Sequence, residues 1–248
     1  ELEFGQRNAC RGVLVGEPHK GLAYMFQMMN DARIEVGAGA TAIAQAAFGA
    51  ALAYTALRLQ GRALSDKDPA QPQIPIIQHA DVKRMLLFQK AVVEGSLSLI
   101  MQCARYVDLE SVSEGGEKER YALLLDLLTP VAKTYPSEMG ILSTSQAIQC
   151  FGGYGYCEDF PVEQHYRDVR IHPIHEGTTG IQGLDLLGRK LTQQGGRVLD
   201  YLVSEIRQTI ATAKQTGGLS AHADALAEAL DRLNVVLKHL GSIAQAEG

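Results

Sequence analysis

The spacing of apolar residues along the chain predicts a protein built almost entirely from α-helices. Eight segments are predicted to be helical, most of them because apolar positions recur at steps of three and four, and residues 163–170 as a short polar helix. These segments are 36–61, 79–107, 124–135, 138–150, 163–170, 179–190, 198–210 and 226–240. Residues 12–18 differ, because a run of valine and leucine between glycines there predicts a short strand that ends in a loop.

Glycine and proline divide this helical pattern into parts. The Pro-rich segment 65–75, which includes Asp66, and the charged segment 110–118 are predicted loops, and Pro130 is expected to bend the third helix. Consecutive glycines at 152–153 and in the break at 193–196 end helices. The last two helices, separated at 217–218, are expected to form a hairpin, and a heptad seam on the second needs a partner surface.

Composition limits the classes of protein to consider. The chain has 248 residues, 46% of them hydrophobic, and a net charge of −5, so it holds enough apolar material for a core and has no basic run for nucleic acid. Its four cysteines form no CxxC pair, which argues against a zinc knuckle or a disulfide framework and favours a reducing, cytoplasmic setting. No apolar stretch is expected to approach the roughly 20 residues of a membrane span.

The amino terminus shows no targeting segment. Residues 1–5 include no initiator methionine, no basic region and no apolar run of a signal peptide. We therefore expect the chain to be part of something longer.

The richest chemistry lies in residues 165–182, which contain three histidines and a glutamate. His172, His175 and Glu176 invite comparison with a metal site, but their spacing is not that of HExxH, so we predict no metal ligands. On periodicity alone, Glu176 is an acidic residue at a helix entrance, where the helix dipole favours a carboxylate.

A resemblance changes this interpretation. The segment His175-Glu176-Gly177-Thr178, preceded by Tyr166-Arg167-Asp168 and by the turn at 149–155, resembles the signature of acyl-CoA dehydrogenases, flavoenzymes that desaturate acyl-CoA thioesters. The resemblance extends from Gly16 to Lys190 and covers the end of that family's β domain and its C-terminal helical domain. The long loop after Arg62 and the helices after Gly195 are similar to a longer bacterial subgroup that includes methylthiopropanoyl-CoA dehydrogenase.

This resemblance implies an all-α fold. It consists of an up-down helical bundle with an appended helical hairpin and a short N-terminal remnant of a β domain. The implied domains are 1–20 for the remnant, 21–192 for the bundle and 193–248 for the appended segment.

The resemblance also implies a substrate site. Glu176 matches the base that removes the α-proton of the thioester, a step that needs a carboxylate activated by the exclusion of water, and its backbone N–H helps to polarise the thioester carbonyl. Arg33 matches an arginine near that base, although a solvated charge at a helix start is the alternative. Asn30, Met29 and Gly177 are the other implied substrate residues, and Asn30 stands where relatives often have aspartate. Met29 belongs to an apolar cluster with Met25, Phe26 and Met28 that either packs in the core or lines an acyl pocket.

FAD is the implied cofactor. Arg58 and Gln60 match residues that reach the FAD of a neighbouring subunit, and Gln149, Gly152 and Gly153 match the segment against the ADP portion of the same flavin. Thr178 matches a flavin-contacting threonine.

The implied function is that of the C-terminal part of an FAD-dependent acyl-CoA dehydrogenase. Such an enzyme forms a trans-2-enoyl-CoA, passes electrons to an electron-transfer flavoprotein and works as a homo-oligomer, a dimer or tetramer, with no nucleic acid and no membrane span. The chain alone is expected to be inactive. Two alternatives stay open: an acyl-CoA oxidase, and a catalytically silent relative used for assembly or nucleic-acid binding.

Overall fold

The computed structural model describes residues 2–63, 65 and 68–247, without the side chains of residues 26–27 and 244–247. The model is 76% helical, and no strand occurs among these residues. The α-helices are α1 (Gly21–Leu57), α2 (Ala80–Val112), α3 (Gly115–Phe151), α4 (Val162–Val169), α5 (Thr179–Gly188), α6 (Arg197–Gln215) and α7 (Ser220–Glu247). Shorter 3₁₀ segments span Ile76–Gln78, Gly152–Tyr156 and Lys190–Gly196. The all-α prediction is confirmed.

The strand predicted within residues 12–18 is wrong. Residues 11–15 have no regular secondary structure, and the isolated bridge in the described part of the chain joins Leu59 to Pro75. A single apolar run forms a strand only when another strand satisfies its backbone hydrogen bonds.

Helix α1 begins at Gly21, well before the start predicted from periodicity. The early turns were missed because apolar and small residues occupy all faces there and leave no clear helical period. Met25 and Met28 are exposed, so core packing is wrong for these two, whereas Met29 is half-buried and the Phe26 side chain lies outside the described residues.

Helix α3 joins the third and fourth predicted helices into one. It continues through Pro130, whose side chain is fully buried. A proline removes one helical hydrogen bond, and the packing of its ring in the interior offsets that loss. The loop predicted at 110–118 is shorter than expected, because α2 ends at Val112 and α3 begins at Gly115. Within the predicted loop at 65–75, Asp66 lies outside the described residues.

The predicted breaks near the carboxyl end are confirmed. Gln194, Gly195 and Gly196 have φ of +49°, +69° and +87°, which ends the segment before α6. Gly218, with φ of +82°, lies in the turn between α6 and α7.

The chain divides into two compact units. Unit 1 contains residues 1–100 and 131–179. Its core is formed by small and apolar side chains of α1, α2, α3 and α4: Ala47, Ala51, Met85, Leu86, Ala147, Cys150, Phe151 and Val162. Helices α1 and α3 approach closely in this unit, since a Cβ at Gly37 would lie 2.1 Å from the carbonyl oxygen of Ala132.

Unit 2 contains residues 101–130 and 180–248. Leu123, Leu127 and Val198 form its apolar cluster. Beside this cluster the fully buried Lys190 donates to the Asp126 carboxylate at 2.7 Å, with Asp185 at 3.7 Å. Burial lowers the pKa of Lys190, and the hydrogen bond and charge of Asp126 act in the opposite direction.

Helix α1 is also long and apolar enough to cross a membrane. An 18-residue window in it has a mean hydropathy of 1.5 and is 33% buried. By length and composition, the expectation that no stretch approaches this length is therefore wrong, and the many alanines of α1 contribute to the high mean hydropathy. The core helix of a globular protein passes the same test, so this property does not establish a span.

Candidate active site

The loop between α4 and α5, residues 170–178, carries Glu176 and is named the Glu176 loop. It is closed by its own backbone, since the N–H of Thr179 donates to the Pro173 carbonyl oxygen at 3.2 Å. Near its start, a ring nitrogen of His175, Nδ1, lies 2.9 Å from the Ile171 carbonyl oxygen. These contacts fold the segment into a compact turn against α3.

Glu176 stands at the exposed side of this turn. Its backbone has φ of +54° and that of Gly177 has φ of +88°, so two successive residues are left-handed. Such a backbone is costly for a residue with a side chain and persists only where neighbouring contacts hold it.

Lys133 supplies such contacts from α3. Its side chain is fully buried. Its ammonium donates to the carbonyl oxygen of His172 at 2.6 Å and to that of Gly177 at 2.7 Å. Farther along α3, Glu138 accepts a hydrogen bond from the Thr179 hydroxyl. Helix α3 therefore contacts both ends of the Glu176 loop.

Several charges act on the Lys133 ammonium. Burial lowers the pKa of Lys133, the positive charge of Arg33 lowers it further, and the charges of Glu138 and Glu176 raise it. The side chain of Arg33 is buried, with 6% exposure. Two buried cations and two carboxylates thus form one charge cluster around the Glu176 loop.

The predicted substrate residues lie on α1 and in the Glu176 loop. Asn30, Met29 and Arg33 all lie inside α1 rather than before it, with Asn30 and Met29 half-buried. The solvated helix-start alternative for Arg33 is therefore wrong. Gly177 lies in the Glu176 loop, where its carbonyl accepts from Lys133.

Five of the six predicted cofactor residues line a single cavity. The cavity has a volume of about 830 Å³ and lies in unit 1. The predicted residues that line it are Arg58, Gln60, Gln149, Gly152 and Gly153. Among the described residues, Thr178 does not line this cavity; it lies directly before α5.

The chemistry of this cavity suits a dinucleotide. The Arg58 guanidinium lies 5.5 Å from the centre of the Tyr154 ring, and Tyr54 stacks on Phe151 with ring centres 4.2 Å apart. An arginine and side-chain amides match phosphate and base edges, and aromatic faces match planar rings. Gly152 has φ of +62°, and a Cβ at Gly152 or Gly153 would meet no atom within 4 Å, so the bare backbone borders open space.

Sequence reasoning did not single out Lys133, Tyr54 and Tyr154 as site residues, and it considered His172 only as a metal ligand. A signal for Lys133 existed, since it lies three residues after Pro130 and four before Ser137, both buried positions of α3. A lysine on the apolar face of a helix needs partners. Burial lowers the pKa of His172, and the nearby His175 lowers it further.

Comparison with known proteins identifies the family of this chain. Residues 19–191 match the family model described as acyl-CoA dehydrogenase, C-terminal domain. The chain belongs to the acyl-CoA dehydrogenase family. Among the described residues, no group of three or more histidine, cysteine or acidic residues is placed to hold a metal ion.

Curated relatives are similar over most of this acyl-CoA dehydrogenase chain. It is 40% identical over 233 residues to 3-methylmercaptopropionyl-CoA dehydrogenase of Ruegeria pomeroyi, covering 92% of the chain and 39% of that protein. It is 38% identical over 219 residues to butyryl-CoA dehydrogenase of Syntrophomonas wolfei, covering 86% of the chain and 36% of that protein. The chain therefore spans less than two fifths of the length of these two relatives.

The fold is also similar to a solved structure. Caenorhabditis elegans ACDH-11 in complex with C11-CoA aligns with a TM-score of 0.80 and 25% identity. The alignment covers 94% of this chain and 37% of ACDH-11. The structural similarity thus includes most of residues 192–248, which follow the segment matched by the family model.

Proposed function

We propose that this chain is the C-terminal part of an FAD-dependent acyl-CoA dehydrogenase that forms a trans-2-enoyl-CoA. The observation that carries the proposal is the cavity that gathers Arg58, Gln60, Gln149, Gly152 and Gly153 from separate parts of the sequence. These residues match the family's flavin-binding positions, and their donors and open backbone suit a dinucleotide.

Arg58 would bind the diphosphate of FAD, with Gln60 and Gln149 as polar contacts and the two glycines allowing close approach. When bound there, the flavin would supply the acceptor for the hydride that leaves the β-carbon of the substrate. Thr178 is proposed as a further contact from the Glu176 loop. We propose that the site is completed across a subunit interface in a homo-oligomer.

Glu176 is the proposed base for the α-proton. Its charge interacts with the buried Lys133 ammonium, on which Arg33 of α1 and Glu138 of α3 also act. The acyl chain of a bound thioester would exclude water from this exposed side and strengthen the base. The Glu176 backbone N–H is the proposed donor to the thioester carbonyl.

Other parts of the proposal follow from family membership. We infer an acyl-CoA substrate, an electron-transfer flavoprotein as electron acceptor, and a cytoplasmic location. Asn30 and Met29, half-buried on α1 with Arg33, are the proposed substrate contacts on that helix. These 248 residues span less than two fifths of the length of the two relatives described above, and we propose that they are inactive by themselves.

The first test is an anaerobic titration of the flavin-loaded full-length enzyme with a panel of acyl-CoAs. Flavin bleaching is expected for wild type. A Glu176→Gln variant is expected to bind flavin but to be reduced at least about 10²-fold more slowly, because it lacks the base. Glu94→Gln, an exposed carboxylate on α2 paired with Lys90, is the control and should bleach like wild type.

Two results would redirect the proposal. If the wild-type enzyme consumes oxygen and releases peroxide as fast as it turns over the acyl-CoA, it is an oxidase. If none of the acyl-CoAs bleaches the flavin of the loaded protein, the dehydrogenase function is contradicted and the silent alternative is favoured.

A further inference from the structure

The buried ammonium of Lys133 donates to backbone carbonyl oxygens, whereas the buried ammonium of Lys190 donates to the carboxylate of Asp126. The acceptors of the Lys133 ammonium are the carbonyl oxygens of His172 and Gly177. A fully buried ammonium is costly unless its donors are satisfied, so these two bonds are what keep it in place.

The two acceptors lie on either side of the segment that carries Glu176. His172 precedes and Gly177 follows residues 173–176, so one ammonium ties together the two ends of the turn that presents Glu176. Glu176 and Gly177 are both left-handed, a conformation that relaxes readily when its restraints are lost. The bond to the Gly177 carbonyl acts on the peptide unit directly after this pair.

The surrounding elements fix the ammonium itself. Gly37 of α1 lies against Ala132, the residue before Lys133, so α1 closes over this turn of α3. The groups that interact electrostatically with Lys133 are Arg33 from α1, Glu138 from α3 and Glu176 from the loop, and His172 faces it as well.

We propose that Lys133 is a positioning residue for the reaction: its ammonium holds the Glu176 loop in its left-handed conformation and thereby aims the Glu176 carboxylate at the substrate. This inference rests on the proposed function, because the expected change in kcat requires that Glu176 is the base. It concerns alignment of the base and not the binding of the acyl-CoA.

The test compares Lys133→Met with Lys190→Met in the flavin-loaded full-length enzyme. Both remove a fully buried ammonium, but Lys190 lies in unit 2 and serves the ion pair with Asp126. Lys133→Met is expected to lower kcat and kcat/KM equally, by about 10²-fold, the scale of a 1 Å misplacement, with KM unchanged. Lys190→Met should keep wild-type kcat at a temperature where both variants are folded.

A second variant separates hydrogen bonding from loss of the side chain. Lys133→Gln keeps two N–H donors without the charge, so its kcat should fall between those of wild type and Lys133→Met. A Lys133→Met enzyme with wild-type kcat, or a Lys133→Gln enzyme no faster than Lys133→Met, would overturn the proposal. If Lys133→Met does not fold, Lys133→Gln decides alone: reduced kcat with unchanged KM supports it, and wild-type kcat or a change confined to KM overturns it.

Amide hydrogen exchange provides a readout that does not depend on activity. Lys133→Met or Lys133→Gln should accelerate exchange in residues 172–179 relative to Lys190→Met, while α3 exchanges as in wild type. Unchanged exchange in that segment would overturn the positioning role. Wild-type enzyme that never bleaches, together with accelerated loop exchange in the variant, would mean that the proposed function has failed and the loop restraint has not.

Discussion

At the scale of single residues, the left-handed backbone of Glu176 is the feature most closely tied to chemistry. An L-residue adopts φ near +54° only when its surroundings outweigh the steric cost. Here Lys133 and Thr179 hydrogen bonds close the turn on both sides. A strained residue at a proposed base agrees with the general tendency of such conformations to occur at functional sites.

Arg58 allows a prediction at the same scale. Its guanidinium lies over Tyr154 in the cavity, and replacing it with glutamine removes the positive charge expected to bind a diphosphate. We expect Arg58→Gln to weaken flavin retention about 10- to 100-fold, the effect of losing one charge-assisted contact of about 1.5–3 kcal/mol. The measurement is the FAD-to-protein ratio after dialysis against flavin-free buffer.

Arg232 provides the control for this experiment. It is an exposed arginine on α7 that pairs with Glu228. Arg232→Gln should retain flavin like wild type. Equal retention by the Arg58 and Arg232 variants would contradict a cofactor role for the cavity.

The residue scale also shows where sequence reasoning stops. Glu176, Arg58 and Gln149 were named from a motif, which carries identity and spacing. Lys133 belongs to no motif, and its importance depends on the exposure of its side chain and on carbonyl groups about 40 residues away. Neither quantity is encoded in local spacing.

At the scale of elements, the contact of α1 with α3 is made possible by a glycine. A Cβ at Gly37 would lie 2.1 Å from the Ala132 carbonyl oxygen and 3.0 Å from Ile100. Any side chain there must push the helices apart. Because Ala132 precedes Lys133, the position of the ammonium depends on this close approach.

Gly37→Ala is therefore expected to destabilise the protein by about 1–3 kcal/mol, the usual cost of overpacking. Gly49→Ala is the matched control on the same helix, because a Cβ there meets no atom within 4 Å. Alanine in an open helical position should be neutral or stabilise by about 0.5–1 kcal/mol. Thermal or denaturant unfolding measures both, and equal midpoints for the two variants would contradict the role of Gly37.

Element prediction succeeded or failed for identifiable reasons. The turns at 193–196 and 217–218 were predicted because glycine permits positive φ, a local property. The start of α1 was missed because its first turns show no clear helical period. The continuity of α3 was missed because it depends on packing, which allows the helix to continue through the buried Pro130.

At the scale of the whole molecule, the proposed flavin site makes assembly and cofactor binding inseparable. If Arg58 and Gln149 reach a flavin held by a neighbouring subunit, the full-length enzyme must be oligomeric when flavin is bound. Light scattering after size-exclusion chromatography is expected to give a dimer or tetramer whose mass peak carries the flavin absorbance. A monomer with stoichiometric flavin would contradict the shared site.

The sequence by itself determined the helical fold, the glycine turns and, through the His175–Thr178 motif, the family and the candidate base. These are local properties: hydrophobic period, backbone freedom and the identity of neighbouring residues. Only the tertiary structure decided that Arg58 and Gly152 line one cavity, that Arg33 is buried within α1, and that Lys133 holds the Glu176 loop. Those facts depend on which distant segments pack together, since burial and hydrogen-bond partners are properties of the packed chain.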